Sequence, residues 1–399
     1  MLLRIFSSLA LVFTISSNSF AEDKLCVPIG SWKNPQLEII PHKNVIKNLA
    51  RQQVVLLGED HENAGHHRWQ TQTIAKLHAL QPDMALAFEA FPRSTQEVLN
   101  KWVNGELSEE ELLKQTDWQT NWTYNPDFYL PMFHFARMHR IPMIAMNVNR
   151  SLVSKVGKKG WANIPESERE GITDPAPAPQ DYIDSLVDIF SQHMPTGGHG
   201  QEPGKDTEKL DSSAISNSPM FKNFLQGQLL WDRAMAQAIK QQRGDAKLVI
   251  GIVGAGHIMG GWGIPHQLKD QGINKTATAM PWDDAVDCEQ LQNRLVDWAF
   301  GVAPQTAAPT NNRPKLGVYL EPAKKGVGVK KVVPNSVADT LGIQAGDAII
   351  EIAGRPASQV ADVVNAVQST GWGTWLPLKI LRGNKEIELI AKFAATPPD

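Results

Sequence analysis

The sequence is short of cysteine, carries no basic excess and has no long apolar run beyond its N-terminal segment. In 399 residues there are two cysteines, Cys26 and Cys288, so at most one disulfide is available. The formal charge is -3, with no basic stripe, which argues against a nucleic-acid partner. Three catalytic or cofactor signatures are also missing. His61-Glu62 followed by His66-His67 resembles a zinc helix, but the histidine spacings are five and six. On a helix these fall about 140° and 240° apart, not on one face. Gly254-Ala255-Gly256 with Gly260 follows a late strand, without the βα unit and acidic residue of a dinucleotide site. A G-x-S-x-G nucleophile elbow is absent.

What is present divides the chain. Its length exceeds one compact core, so two domains are expected. Arg4, the apolar run Ile5–Ile15 and the small residues around Ser19-Phe20-Ala21 read as an export signal over 1–21, too short to span a bilayer. Asp23-Lys24-Leu25 before Cys26 is not a lipobox, so soluble periplasmic export is expected over lipid anchoring. An oxidising compartment permits Cys26 and Cys288 to bridge, which would contribute about 4–5 kcal/mol in the chain-entropy model; the sequence leaves open whether they do. Residues 301–314, rich in Pro, Ala, Thr and Asn, read as a linker. They separate a domain over 22–300 from one over 315–396. A polar stretch at about 195–219 reads as a mobile insertion in the first.

In the first domain short apolar runs alternate with longer amphipathic ones. Val54–Leu57, Met84–Phe88, Met143–Met146 and Lys247–Val253 read as buried strands. Asn63–Leu80, Ser94–Gln115, Asp127–Arg140, Asp181–His193 and Phe221–Arg243 read as helices. This alternation predicts an α/β fold: a largely parallel central sheet flanked by helices. Each strand ends in polar residues: Glu59, Asp60 and His61, then Glu89, then Asn147, then His257. In open α/β sheets ligands bind beyond the carboxyl ends of the strands. These carboxylates and imidazoles are therefore candidates for one cleft, able to transfer protons or ligate a metal. Turn formation and helix capping would use Asp and Asn there too.

Read whole, Val54-Val55-Leu56-Leu57-Gly58-Glu59-Asp60-His61-Glu62-Asn63 through His66-His67 resembles the opening motif of the ChaN family. Ala87-Phe88-Glu89-Ala90-Phe91, Tyr129-Leu130-Pro131, Pro142 to Asn147 with Arg150 beyond, and Val253-Gly254-Ala255-Gly256-His257 are similar to its later motifs. The resemblance implies a haem-binding protein of bacterial iron acquisition. The wider superfamily contains Tiki-type metalloproteases and erythromycin esterases. It thus also implies a hydrolase alternative, with or without a divalent metal, built on Glu59, His61, His67, Glu89, Asn147, Arg150 and His257. Haem needs an apolar slot and axial ligands; Tyr129, then His134, are the expected ones.

From Lys315 to Phe393 the pattern becomes short alternating strands, and Leu316-Gly317-Val318-Tyr319-Leu320 with Leu341 to Ile349 resembles a bacterial PDZ domain. The family places a peptide's carboxylate on the backbone N–H groups of Leu316, Gly317 and Val318. The other wall would be a helix carrying Val360, Val363, Val364 and Val367, suited to an apolar C-terminal residue. The expected partners are haem and a protein or peptide C-terminus; a homodimer is compatible with the sequence but not indicated by it.

Overall fold

The computed structural model describes residues 25–193, 212–283, 288–293, 295–305 and 314–395. The expected export signal, most of the expected linker and the greater part of the expected insertion lie outside these residues. The chain divides into two compact units, 1–305 and 306–399.

The first unit has strands β1 (Trp32–Lys33), β2 (Ile39–Ile40), β3 (Val54–Glu59), β4 (Met84–Pro92), β5 (Met143–Asn147), β6 (Leu248–Gly254), β7 (Thr276–Trp282) and β8 (Trp298–Gly301). They form one sheet in the order β2-β1-β8-β7-β3-β6-β4-β5. From β8 to β5 every pairing is parallel; β1 and β2 add antiparallel strands at one edge. Val54, Val55, Leu56 and Leu57 are fully buried, as expected of a strand covered on both faces.

The connection order sets the site. β6 returns to lie between β3 and β4, pairing Glu59 with Gly254 and Phe88 with Ile252. The ends of β3 and β6 and the stretch of β4 around Glu89 therefore stand close to one level, while β4 runs on to Pro92. The helix Ala64–Leu80 starts directly beyond β3, capped by Asn63, whose side-chain oxygen accepts from the N–H groups of Gly65 and His66.

Several expectations are corrected. The helix expected over Ser94–Gln115 is two, Gln96–Asn104 and Glu109–Gln115. Gly105 ends the first at φ 82°, and Ser108 opens the second with a capping box to Glu111. The polar stretch near 195–219 is not irregular throughout. Ser212–Asn217 is helical, and Pro219 is the first residue of the helix Pro219–Gln242, capped by Ser218. Strands β1, β2, β7 and β8 were not expected. The linker begins later than residue 301, since Val302 is buried and its N–H donates to the Trp282 carbonyl. Cys26 and Cys288 are joined in a disulfide across 262 residues.

The second unit contains β9 (Val318–Pro322), β10 (Val327–Val332), β11 (Ala348–Ile352), β12 (Arg355–Pro356), β13 (Trp375–Arg382) and β14 (Lys385–Lys392). Its antiparallel sheet runs β14-β13-β11-β10-β9, with β12 on β11. The helix Val360–Ser369 contributes Val363 and Val367 to the core beside Val327, Ile349, Leu378 and Ile380. The molecule thus has a mixed α/β first part with a mostly parallel sheet, and an antiparallel β-rich second part.

Candidate functional site

Four separated stretches of chain meet at the carboxyl ends of the strands. Glu59 ends β3 and is 3% exposed. Its Oε1 accepts from the Tyr129 hydroxyl at 2.6 Å and from His61 Nδ1 at 2.8 Å. Its Oε2 faces His67 Nδ1 at 3.4 Å, while His67 Nε2 donates to the His61 carbonyl at 3.1 Å. His66 Nδ1 accepts from the Asp60 N–H at 2.9 Å, so a neutral His66 carries its proton on Nε2, turned toward Asp283 at 3.7 Å.

A second buried carboxylate stands beside the first. Glu89 Oε2 accepts from the Gly254 N–H at 2.7 Å, and its Oε1 lies 3.5 Å from His257 Nε2. Asn147, at the end of β5, donates to the Glu89 carbonyl at 2.7 Å and fixes the backbone there. Gly254 is small for a reason: a Cβ there would sit 3.0 Å from the His61 ring and 3.6 Å from Glu89 Oε2. The glycine lets the imidazole and the carboxylate close over β6.

Behind His257 the chain of hydrogen bonds continues. His257 Nδ1 donates to Asp232 Oδ1 at 2.7 Å, and Asp232 Oδ2 accepts from the Tyr182 hydroxyl at 2.8 Å. Asp232 is wholly buried on the helix Pro219–Gln242. Neither Asp232 nor Tyr182 stood out in the sequence as a site residue. A signal existed: Leu225, Leu229, Asp232, Ala236 and Ile239 keep helical three-four spacing, so a carboxylate occupies an apolar stripe.

Charge explains the titration of these groups. Burial alone would push His257 down, but Glu89 and Asp232 outweigh it and raise the imidazole to about 10. His61 is raised in the same way, its burial outweighed by the bond to Glu59 and the charge of Glu89. Burial works to raise Glu89, yet His257, His61 and the Gly254 N–H hold it below the usual carboxylate range. On Asp232 burial prevails over both donors and keeps the carboxyl high. Burial and then Glu59 push the Tyr129 phenol far up.

Aromatic rings pack around the imidazoles. Trp122 and Tyr124 lie 4.7 and 4.8 Å from the His61 ring, and Phe128 stacks on His67 at 5.4 Å. Trp231 meets His257 edge-on at 4.9 Å. Among the described residues no group of three or more His, Cys, Asp or Glu is arranged to hold a metal ion.

Glu59, His61, His67, Glu89, Asn147 and His257 are thus brought together. Arg150 is exposed at the start of the helix Arg150–Lys159, near enough for its charge to act on Tyr124. Tyr129 lies within the cluster, buried, with its hydroxyl committed to Glu59. His134 does not join it. Its ring packs edge-on against Trp102 at 5.2 Å and bonds Glu109 at 2.9 Å on an exposed flank.

In the second unit β9 is an edge strand, preceded by Leu316 and Gly317. Gly317 has φ 84°, and a Cβ there would strike the Ser336 side chain. The carbonyls of Leu316 and Gly317 accept from Ala338 and Val333, which stiffens the turn into Val318. Val363 and Val367 face inward, while Val360 and Val364 are the more accessible valines of the helix.

Residues 45–268 match the family model for haem-binding uptake, Tiki superfamily, ChaN, and residues 314–392 match that of the PDZ domain. The chain is similar in structure to one described as cofacial heme binding to ChaN of Campylobacter jejuni. The TM-score is 0.51 at 16% identity, over 67% of this chain and 95% of that one, a likeness of fold. A stretch of 87 residues is 32% identical to a putative serine protease HhoA of Synechocystis sp. (strain ATCC 27184 / PCC 6803 / Kazusa), and the chain spans only 22% of that relative. The serine endoprotease from Yersinia pestis is similar over 21% of this chain and 29% of its own, with a TM-score of 0.19 at 28% identity. With the first model spanning more than half of the sequence, the chain belongs to the ChaN haem-binding uptake family of the Tiki superfamily, joined to a PDZ domain.

Proposed function

We propose that this is a periplasmic haem-binding protein of bacterial iron acquisition, whose PDZ domain docks a partner through a peptide C-terminus. The observation that carries the reading is the partly exposed His61 imidazole set against the Trp122 and Tyr124 rings, in a chain of a haem-binding family. Haem asks for apolar, flat walls and an axial donor. Tyr129 fits that donor role poorly: its oxygen is buried, bonded to Glu59 and strongly disfavoured as phenolate. His61 fits it better. Its side chain is 23% exposed and its Nδ1 is tied to Glu59, leaving Nε2 for an iron, an orientation that carboxylate partners commonly impose. The bound group would supply the iron; Tyr124 and His61 would seat and orient it, with Trp122 packed behind the imidazole. The disulfide supports an oxidising compartment and so the export reading.

Titration of the purified chain with haemin should shift the Soret band with a saturable isotherm. His61→Ala should abolish most of that shift, and Tyr129→Phe should leave it. No saturable spectral change would remove the haem reading. For the second unit, peptides with free carboxyl ends should bind and their amidated forms should not.

The Asp232–His257–Glu89 relay favours a second reading, a hydrolase in which Glu59 or Glu89 acts as base on water. It requires ester or peptide turnover, with or without an added divalent metal, lost in both Glu59→Gln and His257→Ala.

A further inference from the structure

At the other end of the helix Ala64–Leu80 from the cleft, two imidazoles stand side by side. His78 lies in the last turn, about 18 Å along the axis from His66 at 1.5 Å per residue. His139 is the final residue of the helix Leu130–His139. Their ring centres are 4.6 Å apart, with planes tilted by 51°. Phe135 backs both, at 5.5 Å from His78 and 4.4 Å from His139. Among the described residues no hydrogen bond or ion pair engages either ring. His139 is exposed and His78 half-buried.

We propose that His78 and His139 form a two-imidazole site for a divalent transition-metal ion, with water completing the coordination. The separation matches that chemistry. An imidazole nitrogen sits about 2.0–2.1 Å from a bound ion, which puts each ring centre about 3.2 Å away and two neighbouring rings about 4.5–5.2 Å apart. Phe135 fixes the ring pair from behind, which lowers the entropy lost on binding. Imidazole suits Cu2+, Ni2+ and Zn2+, with Cu2+ first in the order of affinity. The site stands apart from the strand-end cleft and does not depend on the haem reading.

The test uses metal-free, untagged full-length chain titrated with Cu2+ alone, followed by calorimetry and electron paramagnetic resonance. One saturable site is expected, with splitting from two imidazole nitrogens. His78→Ala and His139→Ala should each weaken it by about tenfold or more and reduce the splitting to one nitrogen. Circular dichroism should be unchanged in His139→Ala, whose side chain is exposed. His61→Ala and His134→Ala should retain the site. Absence of saturable binding, binding indifferent to His139→Ala, or binding lost in His61→Ala would each overturn the proposal.

Discussion

Replacing Asp232 tests whether the buried relay is an electrostatic unit. Asp232 is wholly buried and holds two donors, His257 Nδ1 at 2.7 Å and the Tyr182 hydroxyl at 2.8 Å. Raising an imidazole from 6.5 to about 10 corresponds to about 5 kcal/mol of preference for its charged form in the folded state. Glu89 supplies part of that and survives the substitution. Asp232→Ala also strands the Tyr182 hydroxyl, which costs about 1–3 kcal/mol. Breaking one partner of a buried pair costs about 3–5 kcal/mol, and the variant should lie in that range. Asp232→Asn keeps one acceptor and the shape, so its loss should be nearer to about 1.5–3 kcal/mol.

The pH profile separates this from a mere packing defect. A folded-state pKa above the unfolded 6.5 means that His257 contributes stability fully below 6.5, and loses it as pH rises through about 10. The gap between wild type and Asp232→Ala should therefore be widest just below pH 6.5 and narrow steadily toward pH 10. Urea unfolding read by tryptophan fluorescence, with the transition of the first unit fitted separately, measures it. A loss below about 1 kcal/mol, or a gap that stays constant across this pH range, would refute the reasoning.

Other expectations follow from single contacts. Cys26→Ser with Cys288→Ser opens a loop of 262 residues and should lower stability by about 5 kcal/mol in the chain-entropy model. The midpoint of unfolding should drop to that of the reduced wild type; equal midpoints for oxidised and reduced protein would contradict it. Gly317→Ala forces a Cβ into a left-handed turn and against Ser336. It should cost more than about 1 kcal/mol and weaken free-carboxylate peptide binding at least about tenfold, as titration by fluorescence anisotropy would show. Tyr129→Phe removes one of two donors to Glu59 Oε1 and should destabilise by about 1–2 kcal/mol, read by urea midpoint.

The parts of the site that could be read from the sequence are those that the sheet itself aligns. In a parallel sheet every strand runs toward the same rim, so Glu59, Asn147, Glu89 near the end of β4 and His257 in the turn after β6 were bound to share an edge once the four strands were recognised. β7 and β8 escaped notice for a local reason: Thr276 to Trp282 mixes small and polar residues with Pro281, and Trp298–Gly301 is only four residues long. The disulfide was permitted by the sequence but left open, because separation along the chain says nothing about distance in space.

The roles of Tyr129 and Asp232 lie one level deeper. Tyr129 was expected to face a ligand, and only the approach of the helix that it caps, Leu130–His139, to the end of β3 decides that its hydroxyl meets Glu59 instead. Asp232 reaches His257 because the helix Pro219–Gln242 leads directly into β6 and packs on it, a relation that no spacing encodes. The rim thus gains its fixed charges from the sheet register and their balance from the helices behind it. Two carboxylates on the strands that flank β6 would repel each other, and it is His61, His67 and the Asp232-anchored His257 that make Glu59 and Glu89 tolerable as neighbours. Glu89 on the sheet and Asp232 on the helix behind it together raise the His257 imidazole against its burial.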